Sequence, residues 1–304
     1  MKGMYENLFD NCNEPCKVTV PLPNEIGQGP FLPTDYCVAT GVTCYDWIEK
    51  DGGGGMSGCF WTRKASDDES VLMVGRANTM HGVYTNNVNV GVLPRIENPK
   101  ESGISVVRKD GKNYLLINKK MALYPQAKTT EEITEAMFEL LRKGELEWID
   151  GGYSISDATK SGERDAPFEE QRNKWCKYDG KVYSYVESAK IYDFDNKFRN
   201  RTRCHKGQGY FFELQPIEVE VRDDGTIQCK EILATMKFEQ SKKFAERNFK
   251  ENEVLDTDEF LIGTFLNDYF LKELVKSTQL LYEEKKLEKK NETFNFKRDI
   301  LGKE

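Results

Sequence analysis

Three consecutive stretches carry the reading of this chain: Gly58-Cys-Phe-Trp-Thr-Arg-Lys64, Glu69-Ser-Val-Leu-Met-Val-Gly-Arg76 and Val88-Asn-Val-Gly-Val-Leu-Pro-Arg-Ile96. The first ends on an aromatic-x-Arg turn. The second alternates in the manner of a half-buried strand, because side chains on a strand point to opposite faces in turn. The third is a Val-Gly-Val strand stopped by Pro94, which has no N–H for a ladder. Together they predict strands near 58–62, 71–76 and 88–96, with turns at Asn78 and at Asn86-Asn87, residues that tolerate a left-handed backbone.

The pattern continues outward in both directions. Val18, Val20 and Leu22 read as a strand cut by Pro21 and Pro23, and Pro33-Thr-Asp-Tyr36 reads as a turn leading into Cys37-Val-Ala39. Asp51-Gly-Gly-Gly-Gly55 reads as a flexible loop. Residues 104–124 predict a hairpin around Asp110-Gly111, a dipeptide suited to tight turns. Thr129 or Thr130 caps a helix with Glu131 and Glu132 in its first turn, Ile133, Met137, Leu140 and Leu141 on one face, and Gly144 at its end. Residues 151–175 read as a polar linker. Val182–Val186 and Lys190–Phe194 are strand-like, and Asp224-Gly225 marks a second hairpin. After Asp256-Thr-Asp-Glu259 comes a helix carrying Phe260, Leu261, Phe265, Leu266, Tyr269, Phe270 and Leu274, predicted to run to about Lys289. The remainder reads as a charged tail.

Composition sets bounds. The 304 residues are 38% hydrophobic, 31% charged and 12% aromatic, with a formal net charge of −7. A chain of that length forms about two domains and buries a core without covalent staples. No basic stripe stands out, which speaks against binding a phosphate backbone. The sequence shows neither an apolar leader nor a membrane-length apolar run. Of eight cysteines, five fall in the first sixty residues. The expectation is reduced thiols in a cytoplasm or in a phage particle assembled there.

The three opening stretches resemble the C-terminal half of a family of bacterial and phage-borne domains of unknown function, which read Trp-Trp-Leu-Arg-Ser, a strand with a Gly turn, then Gly-Val-Arg-Pro-Ala. The segment 210–274 resembles the N-terminal half of that family through Phe211-Phe212, Pro216-Ile217, Val219, Val221, Gly225, Ile232-Leu233 and Leu266-Asn-Asp-Tyr-Phe270. Glu218 stands where the family has a Trp, and Phe60 stands for its second Trp. The family is related in fold to C-type lectins and sulfatase-modifying factors. The resemblance implies an α+β fold, a C-type-lectin-like core of antiparallel strands with few helices and a long C-terminal helix. The halves stand in reversed order. Either the chain is a permuted single domain, built from 1–100 and 180–280 around an insertion at 101–179 with an extension at 281–304, or it holds two partial copies. Permutation is preferred, since each half alone leaves an apolar face uncovered.

Chemistry is sparse. Cys12-x-x-x-Cys16 lacks a second ligand pair, and the only histidines are His81 and His205, so neither a metal nor a cofactor is expected. Asn13-Glu-Pro15 and Trp148-Ile-Asp150 miss the calcium-dependent sugar triplets of lectins. The glycine run lacks the Lys-Ser/Thr of a phosphate loop. The reading is therefore a non-enzymatic binding or structural protein, a phage virion component or host-interaction protein with a protein or surface-glycan partner. The alternative is a cysteine-dependent enzyme using Cys37, Cys44 or Cys59, as sulfatase-modifying factors use a cysteine pair. A ligand face is predicted on the loops 46–57, 64–69 and 77–87, with Trp47, Arg76, Asn78, His81, Tyr84, Asn86 and Asn87, joined by Arg63. Exposed aromatic, Arg and Asn side chains make adaptable contacts. The competing reading of Arg63 is a structural cation paired to an acid.

Overall fold

A computed structural model describes residues 16–26, 31–48, 54–75, 79–99, 103–149, 153–155, 170–172, 174–188, 197–275 and 277–278, and of residues 45–48, 54–56, 153–155 and 170–172 the backbone alone. The architecture is mixed and strand-rich, with several antiparallel sheets, an α+β arrangement.

Three sheets organise it. The first has four strands in the order Lys17–Thr19, Arg95–Glu97, Ile227–Cys229, Val219–Val221. The second has five: Ala234–Thr235, Gly91–Val92, Phe60–Ala65, Ser70–Val74, Met80–Tyr84. The third has five: Leu123–Lys128, Gly209–Pro216, Lys181–Glu187, Lys174–Tyr178, Glu147–Ile149. Early and late chain interleave in the first two. Ile96 pairs with Ile227 and Arg95 with Gln228, and Val92 pairs with Ala234. The strands near 71–96 and 210–233 were expected to share one sheet; Arg95–Glu97 does join Ile227–Cys229 and Val219–Val221, but Ser70–Val74 lies in the second sheet and Gly209–Pro216 in the third. One buried cluster takes Val18, Trp61, Val92 and Ile96 from the early chain and Ile227, Phe238, Phe265 and Phe270 from the late chain. The hairpin Ile104–Lys109/Lys112–Ile117 and the strand Leu123–Lys128 give Ile104, Leu115, Ile117 and Tyr124 to the same cluster. Leu123–Lys128 also pairs with Gly209–Pro216.

Local chemistry explains the elements. Asp110 and Gly111 both take positive φ, 51° and 80°, as a two-residue hairpin turn requires. The helix Glu131–Lys143 starts where the Thr130 hydroxyl accepts the Ile133 N–H and ends at Gly144 with φ 71°. Gly91, the centre of Val-Gly-Val, has no room for a Cβ: one would collide with Ile232 and with the Cys59 carbonyl. That carbonyl accepts the Gly91 N–H at 2.9 Å, so the strand is drawn against its neighbour.

Several expectations are corrected. Residues 35–40 form a buried helix, Asp35–Thr40, where a turn at Pro33–Tyr36 leading into Cys37-Val-Ala39 was expected. Thr34 accepts the Cys37 N–H, and Gly41 closes the helix at φ 108°. Within 46–57 the described residues are strand: Cys44–Ile48 pairs with Gly54–Gly58, including Trp47 with Gly55. The strand expected over 88–96 is two short ones, Gly91–Val92 and Arg95–Glu97, which serve different sheets. The linker at 151–175 contributes Tyr153–Ile155, paired with Glu170–Arg172. The long C-terminal helix is not supported. Described there are Leu261–Thr264, a widened π turn Phe265–Phe270, and helix to residue 275. The extension to Lys289 lies outside the described residues, as do Lys190–Phe194 and 281–304.

The π turn divides its side chains between the core and an edge strand. Phe265, Leu266 and Phe270 are buried and Tyr269 packs at the margin of the core. Asn267 points at the edge strand: its Oδ1 accepts the Val18 N–H at 2.8 Å and its Nδ2 donates to the Val18 carbonyl at 3.0 Å. One side-chain amide thus satisfies both backbone groups that a neighbouring strand would otherwise take.

Candidate binding face

The hairpin Ser70–Val74/Met80–Tyr84 forms one margin of the second sheet. Its register runs from Ser70 opposite Tyr84 to Val74 opposite Met80, and the Gly75 N–H donates to the Thr79 carbonyl at 2.7 Å. Antiparallel ladders alternate between bonded and non-bonded pairs. His81 and Val83 therefore bond inward, while Met80, Gly82 and Tyr84 aim their N–H and C=O groups away from the sheet. The Tyr84 carbonyl is taken by the Asn87 N–H at 3.0 Å. Among the described residues no strand pairs with the outer groups of Met80 and Gly82.

This margin is exposed and uncharged. Tyr84 is 59% and Met80 38% exposed, and His81 and Gly82 are exposed between them. His81 Nε2 lies 2.9 Å from the Thr79 hydroxyl. Asn87 folds onto its own turn, its Oδ1 accepting the Asn89 N–H at 2.9 Å. Asn86 is half-buried. At the Tyr84 end, beside Ser70, the turn Asp67-Asp68-Glu69 is exposed. The Ser70 hydroxyl, bonded to the Asp67 carboxylate, holds that carboxyl below its ordinary range.

The structure thus brings His81, Tyr84, Asn86 and Asn87 onto one hairpin and its turn. Trp47 lies on the separate pair Cys44–Ile48/Gly54–Gly58, and its side chain lies outside the described residues, as do Arg76 and Asn78. Arg63 is engaged elsewhere. Its guanidinium contacts Glu25 at 3.2 Å and Glu97 at 2.9 Å, and Glu25 in turn contacts Arg95, which binds Asp224 at 2.6 Å. Met80 is the member of the face that sequence reasoning missed. The signal was available: Met80-His-Gly-Val-Tyr84 is an apolar run with no Lys, Glu or Pro to protect an edge.

Two other places gather titratable groups. A polar cleft of about 390 Å³ lies where the first sheet meets the π turn, lined by Cys16, Lys17, Glu97, Asp258, Asn267 and Asp268 among others. Its charges have partners: Lys17 with Asp256 and Asp258, Glu97 with Arg63, and Asp268 with Lys272. The thiols are the second place. Cys37, Cys44 and Cys59 are buried. Burial pushes Cys37 well up, with the neighbouring Cys44 and Cys59 adding to it, and pushes Cys59 up to about 11. Burial also raises Cys176 to about 12 and lifts Cys229. The thiolate is the nucleophile, so such groups are poorly reactive at neutral pH. Cys37, Cys59, Cys176 and Cys229 are unbridged thiols. Among the described residues no group of three or more His, Cys, Asp or Glu is placed to hold a metal, and no helix is long and apolar enough to cross a membrane. No family model matches the chain, and no curated protein or solved structure does either.

Proposed function

We propose that this chain is a non-enzymatic binding or structural protein that engages a protein or surface glycan through the hairpin edge at Met80–Tyr84. The observation that carries this is the outward-facing backbone of Met80 and Gly82 flanked by exposed Met80 and Tyr84 side chains. An edge of that kind is normally shortened, charged or covered. The motif resemblance supports a C-type-lectin-like core presenting these loops. It also supports a setting as a phage virion component or host-interaction protein, in the cytoplasm or in the particle. The raised thiol pKa values weigh against the cysteine-dependent alternative.

The test pairs a binding assay with thiol profiling. Met80→Asp/Tyr84→Ala protein, exposed to a host extract, should lose a partner that the unaltered chain retains. Retention of that partner by both would move the site elsewhere. A dilute alkylating reagent should label Cys37 and Cys59 only on unfolding. One cysteine labelled far faster than free cysteine at neutral pH would favour the enzyme.

A further inference from the structure

Under a two-fold axis the hairpin edge is complementary to itself. Its outward-bonding positions are Met80, Gly82 and Tyr84, which are symmetric about Gly82. Set antiparallel against a second copy, Gly82 falls opposite the partner's Gly82, and the two exchange both backbone hydrogen bonds. Met80 then falls opposite the partner's Tyr84, and Tyr84 opposite the partner's Met80. The Tyr84 carbonyl already accepts the Asn87 N–H, but the Tyr84 N–H is placed to donate to the partner's Met80 carbonyl.

Side chains close the same seam. Directly opposed residues share one face of a sheet, so each Met80 thioether meets the partner's Tyr84 ring, a favourable sulfur–aromatic contact. Of the five large apolar side chains exposed among the described residues, two stand on this edge, and one symmetry operation covers both. Gly82 leaves the centre bare, so no side chain holds the strands apart. Charge selects the direction. Asp67, Asp68 and Glu69 are exposed at the Tyr84 end. Antiparallel pairing puts the two acidic turns at opposite ends of the seam, whereas parallel pairing sets like charges side by side.

We propose that this chain pairs with a second copy of itself through Met80–Tyr84, antiparallel and centred on Gly82, joining their second sheets into one. The proposal rests on reading this edge as the binding face and names a second copy as its partner. A two-fold pair uses up both edges and so stops at dimers. The strand offers five residues a side, against roughly 20–30 in a standard interface. Association is therefore weak, with a Kd on the order of 100 µM.

Sedimentation equilibrium of the full-length protein, carried to about ten times that Kd, tests this. The mass should rise from 35.1 kDa towards twice that value. Met80→Asp/Tyr84→Ala should weaken association roughly tenfold or more, because each new carboxylate faces the partner's acidic turn. Cysteines check the register. Met80→Cys and Tyr84→Cys proteins, mixed at the upper concentration with oxidised glutathione, should form a disulfide-linked pair. Their Cα atoms would stand about 5.5 Å apart, within disulfide reach. Met80→Cys alone should stay unlinked, its two copies lying about 14 Å apart along the strand. A chain that remains monomeric throughout overturns the proposal. So does association that the edge substitutions leave intact, growth beyond dimers, or linkage of Met80→Cys alone. These outcomes separate the two claims. If the chain stays monomeric while Met80→Asp/Tyr84→Ala protein still loses its extract partner, self-pairing is rejected and the binding face stands. If the expected dimer forms and that variant keeps its extract partner, self-pairing stands and the external site lies elsewhere.

Discussion

The second sheet has two edges that the same chain treats in opposite ways. Ala234–Thr235 is buried: its Ala234 carbonyl accepts from the Cys37 thiol at 3.3 Å, and the Thr235 hydroxyl donates to the Thr40 carbonyl at 3.2 Å. The helix Asp35–Thr40 supplies these partners. At Met80–Tyr84 no described strand pairs with the outer backbone groups of Met80 and Gly82, and Tyr84 is exposed. The covered edge shows that the fold has the means to close an edge with a short helix. Leaving the other open is thus separable from stability, and mutations at the two should behave differently.

The largest effect is expected beneath the covered edge. Trp61 is fully buried, meets Phe238 edge-on with ring centroids 5.7 Å apart, and donates Nε1–H to the Met236 carbonyl at 2.6 Å. Trp61→Ala should cost about 3–5 kcal/mol in denaturant unfolding, and a loss near that at Tyr84 would break the comparison. Next comes the side-chain substitute for a strand. Asn267→Leu leaves the Val18 N–H and carbonyl without their partner, at about 1–3 kcal/mol. A loss close to zero would mean that the strand Lys17–Thr19 does not depend on that amide.

A smaller contribution is electrostatic and belongs to the first sheet. Glu218 lies 2.7 Å from both Lys112 and Lys230. Burial alone would raise its pKa, but the two ammonium groups outweigh that and hold it below the ordinary range. For Asp256 the Lys17 ammonium is the main cause of a lowered value. In Asp224 burial is outweighed by hydrogen bonds from Thr226 and by the Arg95 guanidinium. A depressed folded-state pKa contributes stability that is present above the unfolded value and lost as pH falls through the folded one. The urea midpoint should therefore drop as pH falls below about 4, and Glu218→Gln should flatten part of that slope. A midpoint constant across this range would remove these pairs from the ledger.

The smallest change is expected at the open edge. Tyr84→Ala, alone or with His81→Ala, should shift stability by no more than about 0.5 kcal/mol. A loss several times larger would show that these side chains belong to the core.

What the sequence revealed follows the range of the forces involved. The Asp110-Gly111 and Asp224-Gly225 hairpins and the capped helix Glu131–Lys143 were legible, because turn and cap chemistry acts over four residues or fewer. The inward set Phe265, Leu266 and Phe270 was legible from spacing. Thr34 and Gly41 were equally local signals for the helix Asp35–Thr40, but Pro33-Thr34-Asp35-Tyr36 was read as a turn, and the helix was not assigned. Arg63 was singled out for its residue type, and its role depended on Glu25 and Glu97 from two other segments. Asn267 could not have been assigned, since its partner Val18 is distant in sequence. Of the face, His81, Tyr84, Asn86 and Asn87 were placed by adjacency in the chain. Which backbone groups point outward required the register.

The pairing of Ile96 with Ile227 has a temporal meaning for a chain made from one end. Synthesis at about 5–20 residues per second delivers the partner strand on the order of ten seconds after Ile96 leaves the exit tunnel. Throughout that interval Val92 and Ile96 have no late-chain neighbour, and Val88–Ile96 is an apolar stretch interrupted only by Asn89, Gly91, Pro94 and Arg95. The nascent protein therefore passes through a window in which its first hundred residues are aggregation-prone, and a chaperone that holds extended apolar segments has its natural client there.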